Sequence, residues 1–279
     1  MTKKIISIVF SIILVLFSFY YTNKITTTLK EKDPIMVEIK KYDSLYPDTK
    51  IDSILSDNNI IPGIKGVKVD INKSYSNMKR VGKFDKTLLV FEETTPENDL
   101  KNNYDRYIVS LNKNQNNVSL IFYLEDTSNV LEILSILNNK NVSATFFVTK
   151  EIFDNSIDIV KEILKYGNDI ELLSNTYGVY EVNKYTSILK LISNDRLRFC
   201  LNINKDDNVL NSCKDSKLYT ITPSIIQKNN LYNSLKHNLE NGSIILLSNN
   251  KIITKELSSS INYIEQKGKK IILLKSIIE

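Results

Sequence analysis

The stretch that decides the fold is residues 118–149, which read VSLIFYLEDTSNVLEILSILNNKNVSATFFVT. Residues 118–124 form a short apolar run that ends in a polar turn, as in a strand buried on both faces. Residues 129–139 carry apolar side chains at helical spacing, namely Val130, Ile133, Leu134 and Leu137. Residues 142–148 are β-branched and aromatic, which indicates a second strand. This β-α-β unit predicts parallel strands joined by a right-handed crossover.

The alternation of strand and helix patterns continues to the C-terminus. Further helices are predicted at residues 156–166, 184–194, 207–213, 231–239 and 252–267, and further strands at 169–172, 198–203, 218–222, 243–247 and 270–274. About seven strands alternating with helices predict an α/β protein with a parallel sheet covered by helices. Periodicity alone does not separate a β/α barrel from an open, doubly wound sheet.

The N-terminal segment resembles a membrane anchor. Lys3 and Lys4 precede an apolar run at residues 5–21, about the length of a bilayer-spanning helix. A cleaved signal peptide would need a small-residue site and a lipoprotein a cysteine, so an uncleaved anchor over residues 1–21 fits best. The two lysines favour a cytoplasmic N-terminus. We therefore expect a single-pass protein of the cell membrane with an extracytoplasmic body, joined by a polar stalk at residues 22–33.

The middle of the chain is predicted to form a small α+β region at residues 34–116. Pro34 suits the first turn of a helix, and Pro62 with Gly63 marks a turn after a strand. The polar residues 112–117 suggest a boundary, so a second domain is expected at residues 117–279.

The charge distribution argues against a nucleic-acid partner. The chain of 279 residues carries a net charge of +5, but five lysines and only one acid precede residue 33. The remainder holds 32 basic and 31 acidic side chains, because the whole chain has 37 and 32. Such a body is nearly neutral.

Three segments resemble strands of the polysaccharide deacetylases of carbohydrate esterase family four. They are ATFFVT at residues 144–149, GNDI at 167–170 and GSIILL at 242–247. The resemblance covers residues 118–279. It implies a distorted (β/α)7-type barrel and a divalent metal ion that activates water to remove acetyl groups from a glycan.

The same resemblance assigns the site positions, and the functional residues are missing there. Tyr123 stands at the position of the general base, and Leu124 at that of the metal-binding aspartate. Leu173 and Tyr177 stand where metal-binding histidines belong, and Ser248 where a catalytic histidine belongs. Leucine has no lone pair for a metal, and the chain has one histidine, His237. The sequence therefore predicts no catalytic residue, no metal and no cofactor.

Three functions remain open. The first is a pseudoenzyme that binds a cell-envelope glycan or a partner protein through the degenerate pocket of Tyr123, Leu124, Leu173, Tyr177 and Ser248. The second is an active deacetylase with a site rebuilt around Glu125 and Asp126, although these acids also suit the start of a helix. The third is a purely structural envelope protein.

The two cysteines, Cys200 and Cys213, are one β-α step apart. An extracytoplasmic location permits a disulfide between them, and two separate buried thiols are the alternative.

Overall fold

The computed structural model of the chain describes residues 2–101, 103–173, 178–227 and 230–278. Its helices are α1 (Thr2–Glu31), α2 (Pro34–Leu45), α3 (Ile71–Val81), α4 (Val130–Asn139), α5 (Lys150–Asn155), α6 (Ile157–Lys165), α7 (Val179–Ser193), α8 (Asp207–Asp215), α9 (Leu231–Asn238) and α10 (Lys251–Gln266). Its strands are β1 (Ile54–Ser56), β2 (Asn59–Ile61), β3 (Gly66–Val69), β4 (Phe91–Thr94), β5 (Tyr107–Ile108), β6 (Asn117–Leu124), β7 (Thr145–Val148), β8 (Asp169–Leu172), β9 (Phe199–Leu201), β10 (Tyr219–Ile221), β11 (Ile225–Ile226), β12 (Ile244–Ser248) and β13 (Lys270–Ile271). Short 3₁₀ turns lie at Lys86–Leu88 and Leu274–Ile277.

The chain divides into two compact units, each built from discontinuous segments. The small unit comprises residues 1–50 and 65–95, and the large unit comprises residues 51–64 and 96–279. The region predicted at residues 34–116 is therefore shared between the two units rather than forming one of them. The reason is strand pairing, because β1, β2 and β5 all join the sheet of the large unit.

In the small unit, α2 and α3 share a core with β3, which pairs antiparallel with β4. The buried core residues are Ile35, Ile39, Val69 and Met78. Pro34 lies in the first turn of α2, as predicted, and the carboxylate of Asp33 accepts a hydrogen bond from the Ile35 backbone N–H at 2.9 Å. This cap satisfies a donor that the start of a helix leaves unpaired.

Helix α1 continues through most of the predicted stalk. The hydroxyls of Thr26, Thr27 and Thr28 each donate to the backbone carbonyl four residues earlier, at 2.8 Å. These bonds satisfy the hydroxyl groups of the threonines within the helix. The polar segment can therefore remain helical. Within the described chain, no helix combines the length and the apolar character needed to cross a membrane.

The large unit is an α/β structure, as predicted. The strand order is β1-β2-β5-β10-β9-β8-β7-β6-β12-β11, and β13 pairs with the beginning of β6. All pairs in this sheet are parallel except β1–β2. The distorted (β/α)7-type barrel that the resemblance implies is thus present as a half-barrel. Strand β5 pairs with the edge of β10. In a closed barrel, another strand of the barrel would pair with that edge.

Strand alternation sends side chains to two cores. From β6, Leu120, Phe122 and Leu124 enter a cluster shared with α4, α6 and α10. Ile121 and the half-buried Tyr123 belong to the opposite face, which we call the inner face. Both faces of β6 are therefore covered, as its continuous apolar run predicts.

Candidate functional site

Residues at three of the predicted positions lie at the carboxyl ends of strands in one parallel sheet. Tyr123 pairs with Ser248 of β12 on one side and with Phe147 of β7 on the other. Leu173 follows β8, and its backbone N–H donates to the Val148 carbonyl at 2.9 Å. Because loops at this edge carry the chemistry of α/β folds, we call it the sheet mouth and define it by Tyr123, Leu173, Gln227 and Ser248.

Leu124 does not line the mouth, which corrects the pocket predicted from the sequence. Its side chain is fully buried in the cluster that faces the helices. Neighbouring residues of a strand point to opposite faces, so Tyr123 and Leu124 cannot both face inward in a regular strand.

Tyr177 lies outside the described residues. Tyr180, near the start of α7, has 78% of its surface exposed and fills no core. His237 lies exposed in the last turn of α9, as expected for an imidazole at a helix C-terminus.

The polar groups of the mouth come from amides and hydroxyls. The Ser248 hydroxyl accepts a hydrogen bond from the Asn250 amide at 2.7 Å and lies 3.5 Å from the Gln227 side-chain oxygen. The Nε2 atom of Gln227 is shielded from solvent and has no hydrogen-bond partner among the described residues. Such a donor is costly unless a ligand or a water molecule accepts its bond.

Asp126 has a structural role in the loop after β6. Its carboxylate accepts from the Ser128 backbone at 2.7 Å and from the Asn249 amide at 2.9 Å. These bonds hold the pKa of Asp126 below its ordinary value. Asn249 also donates to the Ser128 carbonyl at 2.8 Å and accepts from the Asn129 amide at 2.9 Å. The carboxylate therefore holds the β6–α4 loop to the β12–α10 loop, while Glu125 is exposed.

Two acids of β8 are buried on the inner face, and sequence reasoning missed them. Glu171 accepts hydrogen bonds from the backbone N–H groups of Arg198 and Phe199 at 2.8 and 2.9 Å. Burial raises its pKa well above the ordinary value. Asp169 accepts from the Lys275 ammonium at 2.6 Å, and burial raises its pKa too. Asp169 and Glu171 alternate with the apolar Ile170 and Leu172 along the strand. This spacing of two is the sequence signal that places both acids on one face.

Gln227, Asn249 and Asn250 were also missed. Their signal is a polar residue directly after a buried strand. Asn is so frequent in this chain that the signal does not stand out.

The residues at the mouth do not fit the divalent metal that the resemblance implies. Tyr123, Leu173 and Ser248 supply a phenol, an alkyl chain and a hydroxyl, whereas such sites use imidazole and carboxylate ligands. Within the described ranges, no group of three or more His, Cys, Asp or Glu side chains is arranged to hold a metal ion.

The structure joins Cys200 of β9 and Cys213 of α8 in a disulfide, with a Cα–Cα distance of 6.2 Å. The bond lies beneath the helix layer, against Leu172, Val182 and Leu218. It ties a strand of the sheet to the helix that follows it.

Comparison with known proteins identifies the fold. Residues 110–210 match the family described as polysaccharide deacetylase. The uncharacterized protein YlxY of Bacillus subtilis (strain 168) is 29% identical over 166 residues, which cover 58% of this chain and 50% of that protein. The match thus spans half the length of that relative.

Solved structures give the same result. A pseudoenzyme of carbohydrate esterase family four from Bacillus anthracis is 21% identical and has a TM-score of 0.64, covering 89% of this chain and 96% of that one. A mutant of that protein is described as having restored enzymatic activity. A peptidoglycan N-acetylglucosamine deacetylase is 22% identical, with a TM-score of 0.53 over 61% of this chain and 92% of that one. The chain therefore carries a domain with the fold of family-four polysaccharide deacetylases.

Proposed function

We propose that the protein is a non-catalytic relative of the polysaccharide deacetylases that binds a cell-envelope glycan at the sheet mouth. The proposal is carried by the residues at the mouth, where other side chains stand in place of the metal-binding and catalytic residues of the family. Tyr123, Leu173 and Ser248 supply neither metal ligands nor a group suited to general-base catalysis at neutral pH. The fold is kept while the groups that its chemistry needs are absent from these positions.

The groups that remain suit sugar recognition. A half-buried tyrosine offers a ring face and a hydroxyl, and the Gln227 side chain offers an amide donor that has no partner among the described residues. Pockets that bind small ligands combine apolar surface with a few such polar groups. The names of the similar proteins support a glycan, because one of them acts on peptidoglycan.

A rebuilt catalytic site is less well supported. The Asp126 carboxylate is occupied in joining two loops, and Glu125 is exposed to solvent. A general acid or base needs a defined position and a suitable pKa, whereas the pKa of Asp126 is lowered.

The proposal includes an extracytoplasmic body anchored by residues 1–21. The disulfide supports this location, because such bonds persist in oxidising compartments. The anchor itself rests on the apolar sequence of residues 5–21. Protease added to cells without their outer wall should digest the body, and a protected body would refute the location.

Titration of the full chain with chitooligosaccharides and soluble peptidoglycan fragments tests the binding. Tyr123→Ala and Gln227→Ala should each weaken binding by about tenfold, which equals about 1.4 kcal/mol. The controls are Tyr166→Ala and Gln266→Ala, which alter the C-terminal ends of α6 and α10 rather than the mouth. No binding, or equal weakening by the controls, would refute a glycan site at the mouth.

Enzymatic activity is tested on the same preparation. The chain should hold no stoichiometric zinc, cobalt or nickel and should release no acetate from acetylated chitooligosaccharide, xylan or peptidoglycan. Acetate release that Glu125→Ala or Asp126→Ala abolishes would instead establish the rebuilt site.

A further inference from the structure

The small unit carries a pocket that the sheet mouth does not explain. Its lining comes from the last turns of α2 and from the segment after α3, and consists of Glu38, Lys41, Tyr42, Leu45, Tyr46, Phe84 and Lys86. The pocket has a volume of about 220 Å³. Sites for larger organic ligands usually measure about 300–1,000 Å³, so this pocket suits one small ring rather than an extended chain.

The aromatic floor of the pocket is fixed by the core of the small unit. Tyr42 and Phe84 pack against the buried cluster that contains Ile39 and Met78. The rings of Tyr42 and Tyr46 stack with centroids 4.5 Å apart, and Phe84 is tilted against Tyr42 at 6.5 Å. Because these rings are already packed together, ordering them on ligand binding would cost little free energy.

Tyr46 provides the open part of this floor. One of its ring faces lies on Tyr42, yet 56% of the residue is exposed. An exposed aromatic ring beside hydrogen-bonding groups matches a sugar ring, which has an apolar C–H face and hydroxyls at its edge. Glu38 supplies acceptors for such hydroxyls, and the lysines supply donors.

The charges of the pocket favour a negatively charged ligand. The Lys86 ammonium lies 5.7 Å from the centre of the Tyr42 ring. In the part of the chain that the structure describes, neither Lys41 nor Lys86 forms a salt bridge, and Glu38 is the only acid in the lining. Two cations and one carboxylate leave a net positive charge at the open edge, which attracts an anion.

We infer that this pocket is a second ligand site, which binds a single sugar ring bearing a carboxylate or a phosphate. The apolar face of the sugar stacks on Tyr46, and its anionic group pairs with Lys86 and Lys41. The inference does not depend on glycan binding at the sheet mouth, because all lining residues belong to the small unit.

The experiment compares two sugars that differ in one group. The full chain is titrated with methyl glucuronide and with methyl glucoside, observed by saturation-transfer NMR, with inorganic phosphate as a third probe. The glucuronide should bind at least tenfold more tightly than the glucoside. Tyr46→Ala should weaken glucuronide binding by about tenfold, and Lys86→Met should reduce the preference for the glucuronide to less than threefold.

Matched controls come from a Tyr–Lys pair on α6. Lys165 lies 5.8 Å from the ring centre of Tyr166, so Tyr166→Ala and Lys165→Met remove a similar pair outside this pocket. Neither control, nor Tyr123→Ala at the mouth, should change glucuronide binding. Equal binding of phosphate and glucuronide, or full glucuronide binding by Tyr46→Ala with an unchanged circular dichroism spectrum, would overturn the inference.

Discussion

The residue Leu124 shows how strand geometry limits what can reach the sheet mouth. Its neighbour Tyr123 faces inward beside Phe147, whereas Leu124 packs among the side chains of the helix layer. A functional group introduced at Leu124 would therefore enter the apolar layer instead of the mouth.

The first prediction follows from that position. Leu124→Asp should lower the free energy of unfolding by at least about 3 kcal/mol, because it removes a buried leucine and buries a carboxylate without a partner. Urea denaturation of the two proteins measures the difference. Leu131→Asp is the control, since Leu131 is 58% exposed on α4 and its replacement should change stability by less than about 0.5 kcal/mol. A loss of similar size in both variants would contradict this account.

Glu171 has the opposite relation to its surroundings, because its burial is matched by specific donors. Strands β8 and β9 share a single residue pair, Leu172 with Cys200. The Glu171 carboxylate takes the backbone donors of Arg198 and Phe199 just before that pair. The Glu171 side chain thus accepts the backbone hydrogen bonds that β8 would otherwise accept from β9, at the point where the two strands diverge.

The second prediction concerns the pH dependence that Glu171 gives to stability. Burial raises the pKa of Glu171 in the folded protein well above its value of 4.5 in an exposed chain. The folded state then binds the proton more tightly, so this contribution is complete below pH 4.5 and is lost as pH rises through the folded pKa. Glu171→Gln should remove that loss and flatten the profile above pH 4.5, measured by urea denaturation at each pH.

The control for Glu171→Gln is Glu265→Gln, which removes an exposed acid at the end of α10. Its profile should follow that of the unmodified protein. Asp169 also has a pKa raised by burial and remains in both variants, so some slope should persist. A Glu171→Gln profile that matches the unmodified protein would show that Glu171 is not the group responsible.

At the scale of elements, local patterns predicted the large unit well. Strand β8 begins and ends where the apolar pattern predicts, and the predicted helices of α4, α6, α9 and α10 lie within two residues of their observed bounds. Each is a continuous pattern between polar or glycine residues, so local sequence determines it. Helix α5 was missed, although Thr149 accepts from the Ile152 backbone and caps it.

Other features depend on contacts between distant segments and could not be predicted locally. The inward direction of Tyr123, rather than Leu124, depends on the register of β6 against β7 and β12. The pairing of β5 with β10 joins residues more than 100 positions apart along the chain. These two strands have only two and three residues, and nothing in their sequences specifies which strand lies beside them. Local patterns therefore could not separate a barrel-like sheet from an open, doubly wound one.

The third prediction concerns the disulfide between β9 and α8. Replacing Cys200 and Cys213 by serine, or reducing the bond, should lower the free energy of unfolding by about 3 kcal/mol, as expected for a loop of about 15 residues. Thermal unfolding with and without a reductant measures the effect, and mass spectrometry of non-reduced peptides identifies the bond. Two thiols that alkylate freely under denaturing, non-reducing conditions would exclude it.

At the scale of the whole molecule, the chain crosses between the two units three times, near residues 50, 64 and 95. The segment at residues 51–64 is therefore an integral part of the large unit. It supplies β1 and β2, and Ile60 of β2 is fully buried on the inner face. Close packing of Gly63 against Pro96 shows that the ends of the two segments of the large unit lie side by side.

The fourth prediction tests this discontinuous architecture. A fragment of residues 96–279 loses β1 and β2, which exposes the edge of β5 and removes Ile60 from the core. A second variant keeps residues 51–64 and joins them to residue 96 through a short Gly-Ser linker in place of residues 65–95. The linked variant should be more stable than the fragment by at least about 3 kcal/mol, because the loss of one buried isoleucine alone costs about 2–5 kcal/mol. The exposed strand edge should also make the fragment more prone to associate, which size-exclusion chromatography measures. Equal stability and equal monomer content in the two variants would show that residues 51–64 are dispensable to the large unit.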